Sequence, residues 1–314
     1  MQNLNKMKHF INLKDIPTKD LRKILIDVKK RKTARKKLNS LELDKGAPLK
    51  GKLLIQMFEK SSLRTRLSFY LAIKQLGGST LTLRPDELHL SKGGESIEDT
   101  AKILSNFGNA FMLRTDNDKK LEEFKKYLSI PIINGLSPSS HPTQILSDVF
   151  TIEEIKKKQI SNLKIVWIGD SNNVLNSLIA ASIKFSFRLN IGCPKKYNPN
   201  KKILNYIKSN KNNVSIYNDP KKAIKGADVV FSDKVISMND KVNKTKKLNH
   251  FRKFKVDQKL MSFAKKDCIF LHCLPRGLEV DEKVFSSKKS KVWQQALNRI
   301  AVQKSILLYC FGKL

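Results

Sequence analysis

Residues 52–69 read KLLIQMFEKSSLRTRLSF, and the fold is decided by how this stretch is read. Its first six residues, 52–57, are short and apolar enough to be a buried strand. The apolar spacing over 67–76 predicts a helix, which Gly77 and Gly78 stop. Residues 61–66 then sit where a strand hands over to a helix N-terminus. That position offers backbone N–H groups without helical partners and the positive end of the helix dipole. Ser61, Ser62 and Thr65 add hydroxyls, and Arg64 and Arg66 add guanidinium forks suited to phosphate or carboxylate. Such a turn is an oxyanion site, most naturally for phosphate. A basic helix start with solvated arginines uses the same residue types, so the rest of the chain has to decide between them.

Working outward, Pro17, Thr18 and Asp20 open a surface helix, with Thr18 as its N-cap and Leu21, Leu25 and Val28 on its buried face. After the arginine-rich turn come a strand at 79–83, an irregular loop at 84–95 and a helix from 96 to 107. A strand at 110–113 ends at Arg114, where a strand's carboxyl end can meet a ligand. A helix at 119–127 and a strand at 131–134 lead to the loop SPSSHPTQ, residues 137–144, and a helix at 145–155. His141 and Gln144 stand three residues apart at that helix start, and both can donate to a carbonyl oxygen. Pro142 between them fixes the backbone.

A second alternation follows, with strands at 163–168, 188–191, 214–217, 227–232 and 268–272. Strands alternating with helices imply a parallel sheet covered on both faces, with ligands past the strands' carboxyl ends. Asn173, Asp233, Ser237 and Cys273 all fall at such ends. Residues 293–309 read as one amphipathic helix packing back onto the body. The expected fold is α/β with two domains, each a parallel sheet flanked by helices, and with the N- and C-terminal helices packed together. The expected domains are 1–150 with the helix 292–314, and 151–291.

Composition narrows the function classes. The chain has 314 residues, 40% of them hydrophobic, and no apolar run of the roughly 18 residues that span a membrane. The N-terminus lacks a signal-peptide core, so a soluble cytoplasmic protein is expected. Cys193, Cys268, Cys273 and Cys310 show no C-x-x-C spacing, which argues against a zinc ribbon or redox motif and for free thiols. The net charge is +34, from 62 Lys and Arg against 28 Asp and Glu, which alone would suggest nucleic acid. The basic clusters at 29–37, 156–158 and 244–247 are spread over helix faces or loops, and no aromatic-interleaved basic motif appears. Specific nucleic-acid binding is therefore not expected, while the field should draw in small anions. The strand before Gly169-Asp-Ser-Asn-Asn lacks G-x-G-x-x-G, which argues against a nicotinamide dehydrogenase.

Together these motifs resemble the carbamoyltransferase family over nearly the whole chain, and its ornithine-using branch most closely. SLRTR at 62–66 is similar to the family's Ser-Thr-Arg-Thr-Arg carbamoyl-phosphate signature. Arg114 and HPTQ at 141–144 look like its contacts to the carbamoyl carbonyl and the phosphate, and Arg299 like its C-terminal arginine. DSNN at 170–173, Asp233 with Ser237-Met238, and HCLP at 272–275 are similar to the ornithine branch.

The resemblance implies catalytic roles for Arg114, His141, Gln144 and Cys273. It implies carbamoyl-phosphate contacts from Ser62, the Leu63 backbone, Arg64, Thr65, His89, Arg114, His141, Gln144, Cys273, Leu274 and Arg299. It implies ornithine contacts from Asn173, Asp233, Ser237 and Met238. The implied reaction carries the carbamoyl group of carbamoyl phosphate to L-ornithine, giving L-citrulline and phosphate for arginine biosynthesis, with no metal or organic cofactor. The implied assembly is a homotrimer, or a multiple of trimers, with His89 or Lys92 reaching a neighbour's site. Leu63, Val235, Asn239 and Leu297 replace the family's usual threonine, tryptophan, glycine and glutamate. They leave another amine open as acceptor: an N-acylornithine, putrescine or aspartate.

Overall fold

The computed structural model describes residues 7–84, 94–210, 213–236 and 243–314. The chain divides into two compact units, Met1–Leu146 with Leu297–Leu314, and Ser147–Ala296. Both divisions fall inside continuous helices, Pro142–Lys156 and Val292–Cys310, a few residues from the breaks expected at 150 and 291. No Gly- or Pro-rich linker marks them, because a helix carries the chain through each.

The first unit runs α1 (Thr18–Ala34), β1 (Leu53–Phe58), α2 (Leu63–Gln75), β2 (Ser79–Leu83), α3 (Ile97–Phe107), β3 (Ala110–Arg114), α4 (Asp118–Tyr127) and β4 (Ile132–Leu136), and enters α5 (Pro142–Lys156). Its four strands are parallel in the order β2-β1-β3-β4. The centres of β1 and β3 are buried, as their largely apolar runs require when helices cover both faces. One polar residue, Gln56, lies inside β1. It is tolerated because its Nε2 donates to Thr80 Oγ1 (2.7 Å). Ile55, Met57, Leu104, Phe111, Leu113 and Phe124 build the core on one side. Each such side chain contributes about 1.5–3 kcal/mol through burial. Phe58 and Arg114 are register partners, so the carboxyl ends of β1 and β3 lie side by side.

The N-terminal helix α1 packs on the C-terminal α12 (Val292–Cys310). Ser305 Oγ donates to Asp27 Oδ2 (2.7 Å) and Lys32 Nζ to Asn298 Oδ1 (2.6 Å). Two expectations are corrected here. Pro17, not Thr18, is the cap residue of α1. Residues 301–310 of α12 are buried on every side rather than along one stripe. Two of its buried polar residues have internal partners: Ser305 bonds Asp27, and Lys304 Nζ lies 3.0 and 3.1 Å from the two carboxylate oxygens of Asp44.

The second unit continues α5 into β5 (Lys164–Ile168), α6 (Asn173–Phe185), β6 (Arg188–Gly192), α7 (Lys201–Ser209), β7 (Val214–Tyr217), α8 (Pro220–Ile224), β8 (Val229–Ser232), α9 (Lys244–Phe251), α10 (Gln258–Met261), β9 (Ile269–His272) and α11 (Glu282–Phe285). The five strands are parallel in the order β7-β6-β5-β8-β9. The chain moves outward from β5 to β7 and then restarts at β8 on the other side of β5. The strand order reverses between β5 and β8, and at their carboxyl ends such a sheet opens a ligand crevice. Gly169 ends β5 with φ +149, a conformation that side chains resist, and so turns the chain towards that crevice. Within the basic cluster at 244–247, which lies on α9, Lys247 is turned inward. It is 5% exposed, and its Nζ pairs with Asp170 Oδ2 at 2.6 Å.

Among the described residues, no helix is long and apolar enough to cross a membrane. The four cysteines are unbridged.

Candidate active site

Helix α2 starts at Leu63, four residues before the expected 67, because its first turn carries polar and basic side chains that apolar spacing does not register. Ser62 is the cap residue, yet its hydroxyl makes no cap hydrogen bond, and the first turn holds no acidic side chain. The two usual ways of satisfying a helix start are both absent. What remains is a set of N–H groups and a positive dipole end facing outward, which is how a phosphate is held. Leu63 is 71% exposed, so its backbone N–H is the group it can offer.

The Ser62 hydroxyl instead accepts from Arg114 Nη1 (3.2 Å). Arg114 is the last residue of β3, and the pairing of Phe58 with Arg114 brings the two loops together. Thr65 is buried, and its Oγ1 accepts from Arg299 Nη2 (2.9 Å). Arg299 Nη1 donates to Gln144 Oε1 (2.8 Å). One buried guanidinium from α12 thus joins the starts of α2 and α5, far apart in sequence. His141, also buried, stands immediately before Pro142, the first residue of α5. Burial, then the charges of Arg299, Arg114 and Arg64, hold its imidazole well below its usual range. The ring is neutral at pH 7 and can donate one N–H without adding charge. Three arginines, hydroxyls, helical N–H groups and a neutral imidazole are a donor set whose chemistry suits a dianion attached to a polar, uncharged group.

The second unit holds its own polar group at the β5/β8 reversal. Asp233 follows β8. Its Oδ2 accepts from Asn172 Nδ2 (2.7 Å) and its Oδ1 from the Cys273 thiol (2.9 Å). Asn172 was missed in the sequence. It is the cap of α6, and its Oδ1 accepts from the N–H groups of Val174 (3.0 Å) and Leu175 (3.1 Å). The expected Asn173 is the first residue of that helix, half-buried. The signal that finds Asn172 is its place just before the helix, where Asn is a preferred cap.

Cys273 follows β9, and its position is set by buried neighbours. Leu274 adopts a left-handed φ of +59, unusual for a branched side chain. Its N–H donates to His272 Nδ1 (2.9 Å), and His272 Nε2 lies 3.0 Å from Glu279 Oε1. Burial alone would raise the Glu279 carboxyl. The hydrogen bonds from His272 and from the Gly277 N–H outweigh it and leave the group below its ordinary value. A carboxylate flanked by an amide and a thiol is suited to an ammonium group.

Of the expected residues, Ser62, Thr65, Arg114, Gln144 and Arg299 are linked through hydrogen bonds in the first unit, with His141 and Arg64 beside them. Cys273 and Leu274, expected as carbamoyl-phosphate contacts from the 151–291 domain, belong to the second unit, where the Cys273 thiol bonds Asp233. His89, Ser237 and Met238, and with them Lys92 and Asn239, lie outside the described residues. Among the described residues, no group of three or more His, Cys, Asp or Glu could hold a metal ion.

Comparison with known proteins covers both units. Residues 8–154 match the family model for the carbamoyl-P binding domain of aspartate/ornithine carbamoyltransferase. Residues 161–310 match that for its Asp/Orn binding domain. The ornithine carbamoyltransferase of Caulobacter vibrioides is 42% identical over 97% of this chain and 98% of its own length. That of Agrobacterium fabrum is 40% identical over 97% and 98%. The crystal structure of an anabolic ornithine carbamoyltransferase from Campylobacter jejuni is 35% identical with a TM-score of 0.88, covering 98% of this chain and all of that one. The ornithine carbamoyltransferase structure from Pyrococcus furiosus is 37% identical with a TM-score of 0.90, covering 98% of both. Likeness at this level, sustained from the phosphate-type helix start to the C-terminal arginine, makes the chain a member of the aspartate/ornithine carbamoyltransferase family.

Proposed function

We propose that this chain transfers the carbamoyl group of carbamoyl phosphate to the side-chain amine of L-ornithine, giving L-citrulline and phosphate. The observation that carries the proposal is the Arg299 guanidinium bridging Thr65 and Gln144 beside the uncapped start of α2. In this reading Ser62, Arg64, Thr65, Arg299 and the Leu63 N–H hold the phosphate and take up its charge as it leaves. Arg114, His141 and Gln144 donate to the carbonyl oxygen. Arg299 fixes which end of the Gln144 amide accepts, so Nε2 is the end that donates.

The amine lone pair attacks the carbonyl carbon, and the oxygen becomes an oxyanion. The tetrahedral intermediate then collapses with cleavage of the carbon–oxygen bond to phosphate, and the proton of the attacking nitrogen passes to the departing phosphate. Donors aimed at that oxyanion lower the barrier most, each worth about 100- to 1000-fold. Holding the two reactants in contact supplies much of the rest.

An alkyl amine titrates at about 10.4 in water, so the site has to take up or generate the neutral form. Asp233 pairs with the α-amino group, while Asn173, Ser237 and Met238 hold the amino-acid end. The Cys273 thiol, tied to Asp233, orients the reacting amine. The preference for ornithine over other amines rests on this Asp233–Cys273 group and on the names of the relatives at 40–42% identity.

The same reading makes the chain a cytoplasmic enzyme of arginine biosynthesis and a homotrimer in which a neighbour's His89 segment completes each site. Helix α2 supports assembly. Leu63, Leu67 and Tyr70 recur at i, i+4 and i+7 and are 71%, 51% and 42% exposed in the single chain. Such a stripe is ordinarily covered by a partner.

The test is citrulline formation from carbamoyl phosphate with a panel of amines: ornithine, an N-acylornithine, putrescine and aspartate. Turnover is expected with ornithine. Product from a different amine alone would overturn the acceptor, and no product from any amine would overturn the transfer itself.

A further inference from the structure

Glu59 is the first residue after β1, three positions before Ser62, and nothing in its local sequence marks it out. Its backbone N–H donates to the carbonyl oxygen of Arg114 (3.0 Å). Its carboxylate accepts from the Thr115 hydroxyl (2.5 Å), from the Asp116 N–H (3.4 Å) and from Lys120 Nζ. The Thr115 hydroxyl also accepts from the Asn117 N–H (3.1 Å), at the cap of α4. Lys60 adds an ion pair to Asp116 at 3.5 Å. The Glu59 carboxylate is 11% exposed, so these bonds form largely out of water, where each unmet partner is costly. One residue therefore grips Arg114 at its carbonyl and again through the two residues that follow. The guanidinium of Arg114, in turn, reaches Ser62.

We propose that Glu59 is a positioning residue for Arg114: it holds the backbone from which that arginine reaches Ser62 and the carbamoyl group. The proposal rests on the transfer reading above. An arginine side chain has many rotamers, and its reach is fixed only if its backbone is. Loosening residues 114–116 moves the guanidinium off the donor substrate and leaves the ornithine group around Asp233 untouched.

The test measures kcat and both KM values for Glu59→Gln, Glu59→Ala and Thr115→Val, each also in an Arg114→Lys background. Gln keeps an oxygen for Thr115 and Asp116, so Glu59→Gln should stay within about threefold of wild type. Glu59→Ala should raise the KM for carbamoyl phosphate about tenfold, the size of one lost charge-assisted hydrogen bond, with the KM for ornithine unchanged. In the Arg114→Lys background the same substitution should cost less than about twofold, because the group it acts through is already displaced. Thr115→Val removes one O–H and should move the carbamoyl-phosphate KM in the same direction by a smaller factor, which keeps the test intact if Glu59→Ala does not fold. An equal loss in both backgrounds, or a fall in thermal midpoint with both KM values unchanged, would overturn the positioning role. Absence of citrulline from the wild-type enzyme would instead overturn the transfer reading, so the two failures are separable.

Discussion

At the scale of single residues, the proposed transfer uses His141 as a neutral imidazole. Burial and three nearby arginines hold its proton affinity down. The unfolded chain binds a proton at this position below about pH 6.5, and the folded chain does not until the pH is lower still. Stability from this group is complete above about pH 6.5 and is lost as the pH falls below it. Urea denaturation from pH 7.5 to 5 should therefore show a falling midpoint, and His141→Gln should flatten that slope. The same substitution should lower kcat about 100- to 1000-fold, as loss of an oxyanion donor does, with the fold intact at pH 7.5. Much at this scale was legible in the sequence, because His141, Gln144 and Arg114 stand at strand ends or helix starts that local patterns mark. Asn172 was missed, because the sequence shows its place before a helix but not that its amide reaches Asp233 across the β5/β8 reversal. Glu59 was not legible at all: its partners at 114–120 are brought to it by the β1–β3 pairing and by no nearby residue.

At the scale of elements, α2 and α12 show what hydrophobic spacing registers and what it misses. The core of α2 was legible from its apolar positions, but its first turn, the part that meets a ligand, was not. In α12 the pattern misled in the opposite sense: a helix read as amphipathic is buried on every side over 301–310, and its Lys304 is 1% exposed. Burial lowers the Lys304 ammonium to about 8 despite its pairing with Asp44. A lysine that releases its proton more readily when folded adds stability as the pH rises from about 8 to 10.5, the interval in which the unfolded chain binds more protons. Asp44 also accepts from Arg35 Nη1 (2.7 Å) and pairs with Arg31 (3.5 Å), so one carboxylate serves three cations. Asp44→Asn should then cost about 3–5 kcal/mol, because it leaves those cations buried together without a counter-charge. Lys304→Met should cost less than about 1 kcal/mol at pH 7, because Asp44 keeps both arginines and the buried ammonium is gone. Equilibrium unfolding of the two variants side by side checks the asymmetry.

At the scale of the whole molecule, the parallel sheets and two-domain plan were legible because each strand is a short apolar run between helical patterns. The breaks between the units were less so, since continuous helices cross them. The net charge of +34 is a property of the entire chain, and its substrate is an anion. The field raises the encounter rate with carbamoyl phosphate and is screened as the Debye length falls from about 10 Å at 0.1 M salt to about 3 Å at 1 M. The value of kcat/KM for carbamoyl phosphate should therefore fall steadily with added salt, while that for ornithine, itself cationic, should not fall in parallel. Steady-state rates across that salt range, with each substrate varied in turn, measure both. The central claim is that the leaving phosphate is gripped where β1 runs into α2. The most direct measurement is a crystal structure with a bisubstrate analogue that joins a phosphonate to ornithine through a carbonyl. The phosphonate should lie against Ser62, the Leu63 and Thr65 N–H groups and Arg64, with its carbonyl oxygen beside Arg114 and His141. A phosphonate seated anywhere else in an enzyme that the analogue inhibits would contradict that claim.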